Sequence, residues 1–237
     1  MADTQILELH NLKFSWNSKA SYLIDVDSFV VNQGEKVFVY GASGVGKSTF
    51  LNLLSGVLSP QEGQIKVLGQ DLVSMSEGQK DRLRGDHMGF IFQMFNLLPY
   101  LSAYDNIILP LNFSEHKRQR LLKNQNINDE VDRLISALKL TPSILNQKVN
   151  NLSVGQQQRV AACRALIGSP ELIVADEPTS ALDANARQGF IDLLFSECAR
   201  NNLGLIFVSH DMALGEKFDR VIALEDINKT QIRAGDQ

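Results

Sequence analysis

The sequence predicts an α/β fold with a largely parallel β-sheet and an inserted helical subdomain, and three observations support this prediction. Short apolar runs rich in β-branched and aromatic residues alternate with helical patterns along the chain. One of these runs, Lys36–Tyr40, ends at a glycine-rich turn that leads directly into a helical pattern. The middle of the chain, over residues 102–168, is instead mostly helical.

The predicted elements follow in order along the chain. We predict strands at residues 4–9, 23–31 and 36–40, then a helix over residues 47–55, then strands at residues 88–92, 172–175, 205–209 and 221–224. Residues 128–140 place Val131, Leu134, Ile135 and Leu138 on one helix face. We therefore predict a single domain over residues 1–237, with a core of about residues 1–92 and 160–237 and a helical subdomain of about residues 93–159.

Composition and charge exclude several classes of function. The formal net charge of −4 provides no basic field for nucleic acid, and the basic run at residues 116–120 is interpreted as a solvated helix face. Cys163 and Cys198 lack the spacing of metal ligands and are predicted to be buried, which suits a reducing cytosol. The N-terminus lacks the pattern of a signal peptide, and no run approaches the roughly 20 apolar residues of a membrane span. We expect a soluble protein.

The glycine-rich turn matches the phosphate-loop pattern G-x-x-x-x-G-K-[ST] over residues 41–48. Glycines allow positive φ and let backbone N–H groups approach phosphate oxygens, and the helix that follows presents unpaired amides to the same anion. Lys47 can reach the β- and γ-phosphates, and the Ser48 hydroxyl can ligate Mg²⁺. We therefore predict an ATP-binding loop that consists of Gly41, Ala42, Ser43, Gly44, Val45, Gly46, Lys47, Ser48 and Thr49.

An apolar strand pattern at residues 172–175 leads into two adjacent carboxylates, Asp176 and Glu177. Open α/β sheets bind ligands at the carboxyl ends of their parallel strands. We predict that Asp176 holds Mg²⁺ through water and that Glu177 orients or deprotonates the attacking water. The same pattern alone is typical of an ordinary strand-end turn, but the phosphate loop earlier in the chain favours the catalytic interpretation.

Residues 152–159, LSVGQQQR, resemble the L-S-G-G-Q signature of ATP-binding-cassette proteins. Other motifs of that family occur in its order: a glutamine after the GFIF strand, the SALD loop after the acidic strand, and a histidine in FVSHD. The resemblance covers nearly the whole chain. It implies a P-loop NTPase (RecA-like) core with an N-terminal antiparallel β subdomain and an inserted helical subdomain.

The resemblance implies roles for single side chains. Gln93 would contact Mg²⁺ or the attacking water and report nucleotide occupancy to a membrane partner. His210 would contact the γ-phosphate. Trp16 aligns with the aromatic residue that stacks on adenine in this family, a position where tyrosine is commoner. Tyr22 is the competing candidate for this role. Alternatively, Trp16 packs in the core.

The signature implies a second subunit. Ser153 and the amides at Gly155 and Gln156 would open a helix and contact the γ-phosphate of ATP bound to another chain, while Ser153 can also act as a plain N-cap. Val154 replaces the first signature glycine, so its backbone is expected in an ordinary region of φ and ψ. Two copies, or two paired cassettes, would pack head to tail on ATP binding, with Asp183 at their seam.

Residues 93–101, QMFNLLPYL, follow the glutamine directly, and the resemblance makes them a socket for a helix of a membrane partner; packing of the helical subdomain is the alternative. The sequence of residues 89–110 is similar to that of one branch of the family, the lipoprotein-release and macrolide-export ATPases. This branch implies permease subunits with a large extracytoplasmic domain, a possible periplasmic adaptor, and a cytoplasmic location on the inner face of the cell membrane.

Three other functions are alternatives to a transporter ATPase. A cell-division-type cassette would regulate a membrane partner without moving substrate. A phosphotransferase could use the same phosphate loop, but the signature, Gln93 and His210 disfavour it. Cassette proteins of translation or DNA repair usually carry two cassettes or a long coiled coil, and neither is present here.

Overall fold

The computed structural model describes residues 4–17 and 21–230. The strands, in chain order, are β1 (Gln5–Phe14), β2 (Ile24–Asn32), β3 (Lys36–Tyr40), β4 (Glu62–Val67), β5 (Gln70–Asp71), β6 (Met88–Ile91), β7 (Leu172–Asp176), β8 (Gly204–Ser209) and β9 (Arg220–Ala223). The helices are α1 (Lys47–Leu54), α2 (Glu77–His87), α3 (Ala103–Phe113), α4 (Glu115–Leu122), α5 (Ile127–Ala137), α6 (Val154–Leu166), α7 (Ala184–Asn201) and α8 (Leu224–Ile227). Across the described ranges, none of these helices combines the length and apolarity needed to cross a membrane.

The first compact unit comprises the described residues of 4–81 and 204–230. Strands β2, β1, β4 and β5 form an antiparallel sheet in that order. Strand β3 pairs in parallel with both β8 and β9, and Tyr40 is in register with Ser209 and Ala223. Parallel strands end at a common edge, so the segments after β3, β8 and β9 leave the sheet side by side.

Several aromatic side chains pack together in the core of this unit. The ring of Phe38 stacks on Phe207 at a centroid distance of 6.1 Å and lies 5.0 Å from the ring of Phe218. Phe29 contacts Phe50 edge to face at 5.2 Å, which packs α1 against β2. Helix α1 is therefore anchored to the antiparallel sheet through Phe50.

The second compact unit comprises residues 82–203. Strands β6 and β7 are parallel neighbours, with Ile91 in register with Ala175. Helix α6 packs against α3, α5 and β6. Arg133 on α5 forms ion pairs with Glu130 and with Glu197 on α7, and both carboxylates are buried. Cys163 and Cys198 lie in the core, as predicted.

The structure confirms the predicted α/β class with an N-terminal antiparallel sheet and a parallel sheet. The predicted apolar face of residues 128–140 is correct, because Val131, Leu134, Ile135 and Leu138 are all buried. Strand β4 was not among the predicted strands: it begins with the polar residues Glu-Gly-Gln, and only Ile65 and Val67 turn inward. The proposed limits of the helical subdomain stay predictions.

Candidate functional site

The phosphate loop lies in the first unit, between the end of β3 and the start of α1. Gly44 and Gly46 have φ of 84° and 104°, values that side-chain-bearing residues rarely adopt. Gly46 is the N-cap of α1 and supplies no side-chain hydrogen bond to the first turn of the helix. Ser43 and Gly44 are exposed. The exposed loop and the helix N-terminus that follows it suit an anion, and the phosphate contact itself stays a prediction.

Lys47 and Ser48, the first two residues of helix α1, differ in their exposure to solvent. The Lys47 side chain folds over the loop, and its ammonium group donates to the carbonyls of Gly41 at 2.9 Å and Ala42 at 3.0 Å. This side chain is only 7% exposed. Ser48, in contrast, is exposed, so its hydroxyl is accessible to a metal or a phosphate oxygen. Thr49 lies beside it in the same first turn.

Sequence reasoning did not find Glu225, at the start of α8, as a partner of the loop. Its Oε1 accepts a 2.8 Å hydrogen bond from the Ala42 amide, and a Cβ at Gly41 would lie only 2.8 Å from its Oε2. A side chain at position 41 would therefore require the Glu225 carboxylate to shift. The only signal in the sequence was an acidic residue just after an apolar run.

His210 is exposed and follows β8 directly. Because Ser209 is in register with Tyr40, His210 and Gly41 both come directly after neighbouring parallel strands. This is the edge at which the sequence predicted a phosphate contact. The role of His210 stays a prediction.

Trp16 and Tyr22 differ in what their rings contact. Trp16 is 68% exposed and meets the edge of Phe14 at 5.2 Å. The Tyr22 hydroxyl donates to Glu62 at 2.9 Å, and the Lys13 ammonium lies over its ring at 5.5 Å. The Trp16 ring thus remains available to an adenine base, which favours Trp16 over Tyr22 as the stacking residue.

In the second unit, parallel pairing of β6 with β7 brings together the ends that carry Gln93 and the two carboxylates. Gln93 is exposed, while Asp176 and Glu177 are partly buried. Glu177 has φ of 42°, an unusual value for a residue with a side chain. Backbone strain of this kind costs of order 1–3 kcal/mol and is concentrated at functional sites. The strain supports a chemical role for Glu177.

The signature residues form the start of α6. Ser153 is the N-cap in a capping box: its Oγ accepts from the Gln156 amide at 3.3 Å, and Gln156 Oε1 accepts from the Ser153 amide at 2.9 Å. The Ser153 O–H can still donate to an outside acceptor. Val154 is the first helical residue and has no positive φ, as expected. A Cβ at Gly155 would meet nothing within 4 Å, so that face is open.

Asp183 is the N-cap of α7, and its carboxylate accepts from the Ala186 amide at 2.9 Å. It is exposed. The local role of Asp183 is therefore capping, and its predicted role at a dimer seam stays a prediction.

Helix α6 is hydrogen-bonded to the segment that follows β6 and to the segment that follows β7. Gln158 donates to the Pro178 carbonyl, one residue after Glu177, at 2.6 Å. Arg164 donates to the carbonyls of Phe95 and Asn96, both at 2.6 Å. Phe95 and Asn96 have φ of 59° and 49°, so Arg164 holds a strained turn shortly after Gln93. No motif in the sequence indicated these contacts.

We expect Arg164→Met to lower the free energy of unfolding by about 2 kcal/mol, because two hydrogen bonds from a charged donor are lost while the apolar stem is kept. Urea denaturation measures this change. Arg200→Met is the matched control, since Arg200 is exposed on α7 and should matter little. If both variants lowered the free energy of unfolding by the same small amount, Arg164 would not stabilise the turn after Gln93.

The segment at residues 93–101 divides into exposed and buried side chains. Met94 is 81% exposed and Tyr100 is 68% exposed, whereas Phe95 is only 8% exposed. Phe95 therefore packs within the second unit, and Met94 and Tyr100 remain available to a partner.

Comparison with known proteins extends these observations. Residues 24–180 match the family model described as ABC transporter. The chain is 34% identical over 229 residues to the lipoprotein-releasing system ATP-binding protein LolD of Pseudomonas syringae pv. tomato, and the match covers 95% of this chain and 97% of that protein. It is 40% identical over 196 residues to the macrolide export ATP-binding/permease protein MacB 1 of Aeromonas hydrophila, a match that covers 83% of this chain and 29% of that protein.

A solved structure is also similar. It is the dimeric structure of a post-hydrolysis state of the ATP-binding cassette MJ0796 bound to ADP and Pi. The TM-score is 0.77 at 31% sequence identity, and the similarity covers 92% of this chain and 93% of that one.

Proposed function

Since this chain belongs to the ABC transporter family and is an ATP-binding and ATP-hydrolysing subunit, we propose that two copies pack head to tail and drive separate membrane subunits of a bacterial lipoprotein-release or export system. The observation that carries the ATPase function is the phosphate loop, with its two left-handed glycines and the uncapped start of α1.

In the first unit, the residues present are suited to bind a nucleoside triphosphate with Mg²⁺. The exposed amides of the loop and the start of α1 would hold phosphate oxygens, and the exposed Ser48 hydroxyl would ligate the metal. Lys47, which already donates to loop carbonyls, would turn one or more of its N–H groups towards the β- and γ-phosphates. Trp16 would stack on adenine, and His210 would contact the γ-phosphate.

In the second unit, Asp176 would hold Mg²⁺ through water, and Gln93 would contact the metal or the attacking water. When bound, Mg²⁺ neutralises charge on the β- and γ-phosphates. Glu177 would accept a hydrogen bond from the attacking water and orient it, or take its proton. The left-handed backbone at Glu177 supports this assignment, because strained residues are concentrated at functional sites.

We assign the signature residues to the ATP of a second copy. Ser153, with its free hydroxyl hydrogen, and the start of α6 at Gly155 and Gln156 would donate to that γ-phosphate. A single chain would then supply the phosphate loop of one site and the signature of the other. The dimeric, ADP- and Pi-bound cassette structure that this chain resembles supports the arrangement. Asp183 would lie at the seam between the copies.

For the membrane partner, the exposed side chains of Met94 and Tyr100 support a docking role for residues 93–101. We propose a permease subunit as the partner, since the name of one relative combines ATP-binding and permease. The family resemblance of residues 89–110 extends this proposal to a large extracytoplasmic domain and, if the system exports, a periplasmic adaptor. The cassette would then lie on the inner face of the cell membrane. The named relatives LolD and MacB favour transport over a cell-division-type regulatory role.

A subunit-mixing experiment tests the composite site. Ser153→Arg blocks the signature and Lys47→Ala disables the loop, so each variant alone should hydrolyse ATP at a few per cent of the wild-type rate or less. An equal mixture contains one intact site in about half of its dimers, so we expect recovery of about a quarter of wild-type activity. Phosphate release from ATP measures the rate. A mixture as inactive as its components would contradict independent sites shared between subunits.

A further inference from the structure

Two histidines and a glutamate meet in the second unit, outside the residues assigned to nucleotide chemistry. His87 ends α2, His116 lies on α4, and Glu171 immediately precedes β7. His87 Nδ1 is 3.0 Å from Glu171 Oε2, and the two imidazole rings are 4.9 Å apart between centroids. One ligand atom from each of the three residues lies within 4.8 Å of the other two.

A cation already lies among these groups. The Arg120 Nη2 donates to Glu171 Oε1 at 2.5 Å and to His116 Nε2 at 2.6 Å, and Nη1 donates to the Ser169 carbonyl at 2.5 Å. A guanidinium group cannot accept a hydrogen bond, so the His116 Nε2 must present its lone pair to Arg120. The lone pair of His116 and the charge of Glu171 therefore converge on one position.

We propose that His87, His116 and Glu171 form a binding site for a divalent transition metal of the Zn²⁺ type, and that Arg120 is a tethered cation which the metal displaces. Zinc bonds of about 2.0–2.2 Å place tetrahedral ligands about 3.3–3.5 Å apart, so ligand atoms that now lie within 4.8 Å of one another would need to approach by at most about 1.5 Å. Without metal, His87 Nδ1 carries a hydrogen and donates it to Glu171 Oε2. On metal binding the neutral ring would move its hydrogen to Nε2 and offer Nδ1. Water would take the fourth position.

Arg120 can leave without disrupting a core, because its side chain is about one-third exposed and can extend into solvent. Two imidazole nitrogens and one carboxylate oxygen suit zinc, whereas Mg²⁺ prefers oxygen ligands alone. The site therefore discriminates against the magnesium that accompanies ATP.

The other charged groups nearby are engaged elsewhere. Asp86 accepts a 2.5 Å hydrogen bond from the Ser114 hydroxyl. Lys117 is buried, its ammonium donates to the Met88 carbonyl at 2.7 Å, and burial lowers its pKa to about 8. The interpretation of residues 116–120 as a plain solvated face is therefore wrong for Lys117 and Arg120, whose side chains turn towards β6 and Glu171.

The test is calorimetric titration of ZnCl₂ into the full chain, after chelator treatment and without nucleotide. We expect one saturable site in the wild type. His87→Gln and His116→Gln should each weaken binding at least tenfold, because each removes a ligand. Arg120→Ala should tighten binding about tenfold, because it removes the competing cation. His10→Gln is the matched control on the first unit and should leave the affinity unchanged.

A second readout uses Co²⁺, whose visible absorption reports tetrahedral nitrogen and oxygen ligation. The spectrum should appear in the wild type, intensify at low metal in Arg120→Ala, and vanish in His116→Gln. If His116→Gln fails to fold by circular dichroism, His116→Asn replaces it. Absence of saturable wild-type binding, or equal binding by both histidine variants and the wild type, would overturn the site. Unchanged or weaker binding by Arg120→Ala would overturn the displacement of Arg120.

Discussion

Replacing Glu177 with glutamine is expected to reduce ATP turnover by about 10²–10⁴-fold while ATP binding is retained. The substitution keeps the shape of the side chain and removes only its ability to accept a proton or to orient water through a carboxylate, and such groups contribute rate factors of this size. The left-handed backbone at residue 177, with φ of 42°, should not change, because glutamine has nearly the same shape as glutamate. Because the ATP held between the two copies is no longer hydrolysed, ATP should trap the protein as a dimer.

Phosphate release and size-exclusion chromatography with ATP measure these two effects. Glu115→Gln is a matched control, because Glu115 is exposed in the first turn of α4 and has no assigned part in the chemistry. A Glu177→Gln variant that hydrolysed ATP as fast as Glu115→Gln would remove Glu177 from its catalytic role. Loss of ATP binding in Glu177→Gln would instead assign the residue to nucleotide affinity.

Replacing Lys47 with alanine is expected to weaken ATP binding by roughly 10–100-fold or more. The side chain would make charge-assisted hydrogen bonds to phosphate, each worth about 1.5–3 kcal/mol, and alanine makes none. The change also removes the two bonds from Lys47 to the Gly41 and Ala42 carbonyls, so the loop loses internal support before any nucleotide arrives. Calorimetric titration with ATP measures the affinity.

Two variants separate charge from loop support. Lys47→Arg keeps the positive charge but replaces a compact ammonium group with a bulkier, planar guanidinium group. The guanidinium group does not fit the space of the ammonium group, so this variant should bind ATP with an intermediate affinity. Lys66→Ala, on β4 of the same unit, removes a cation outside the loop and should leave ATP affinity unchanged. Wild-type affinity in Lys47→Ala would refute the assignment of the phosphate loop.

Features that depend on neighbouring residues were predicted well from the sequence. The phosphate loop, the start of α1 and the N-cap at Ser153 each need only a few consecutive residues, because φ preferences and capping act over one helical turn. The apolar face of α5 was predicted for the same reason, since its period of 3.6 lies within 13 residues. Strand β4 was missed because a polar start hid its alternation.

Contacts between distant residues could not be predicted. Glu225 bonds to Ala42 across 183 residues of chain, and Arg164 bonds to Phe95 across 69. Neither pair follows a local rule, and a glutamate or an arginine at such a position is usually a solvated surface residue. The cluster of His87, His116 and Glu171 is of the same kind, because the three residues are brought together only when α2, α4 and β7 pack.

The amino-acid sequence by itself determined the α/β class, the phosphate loop and the family to which this chain belongs, because these depend on short-range spacing and periodicity. Only the tertiary structure decided that the Trp16 ring is exposed while the Tyr22 hydroxyl is bonded to Glu62, that Glu177 lies in a strained turn, and that Arg164 holds the segment after Gln93. The reason is physical: backbone preferences act between neighbours along the chain, whereas burial, strain and long-range hydrogen bonds exist only after distant segments have packed.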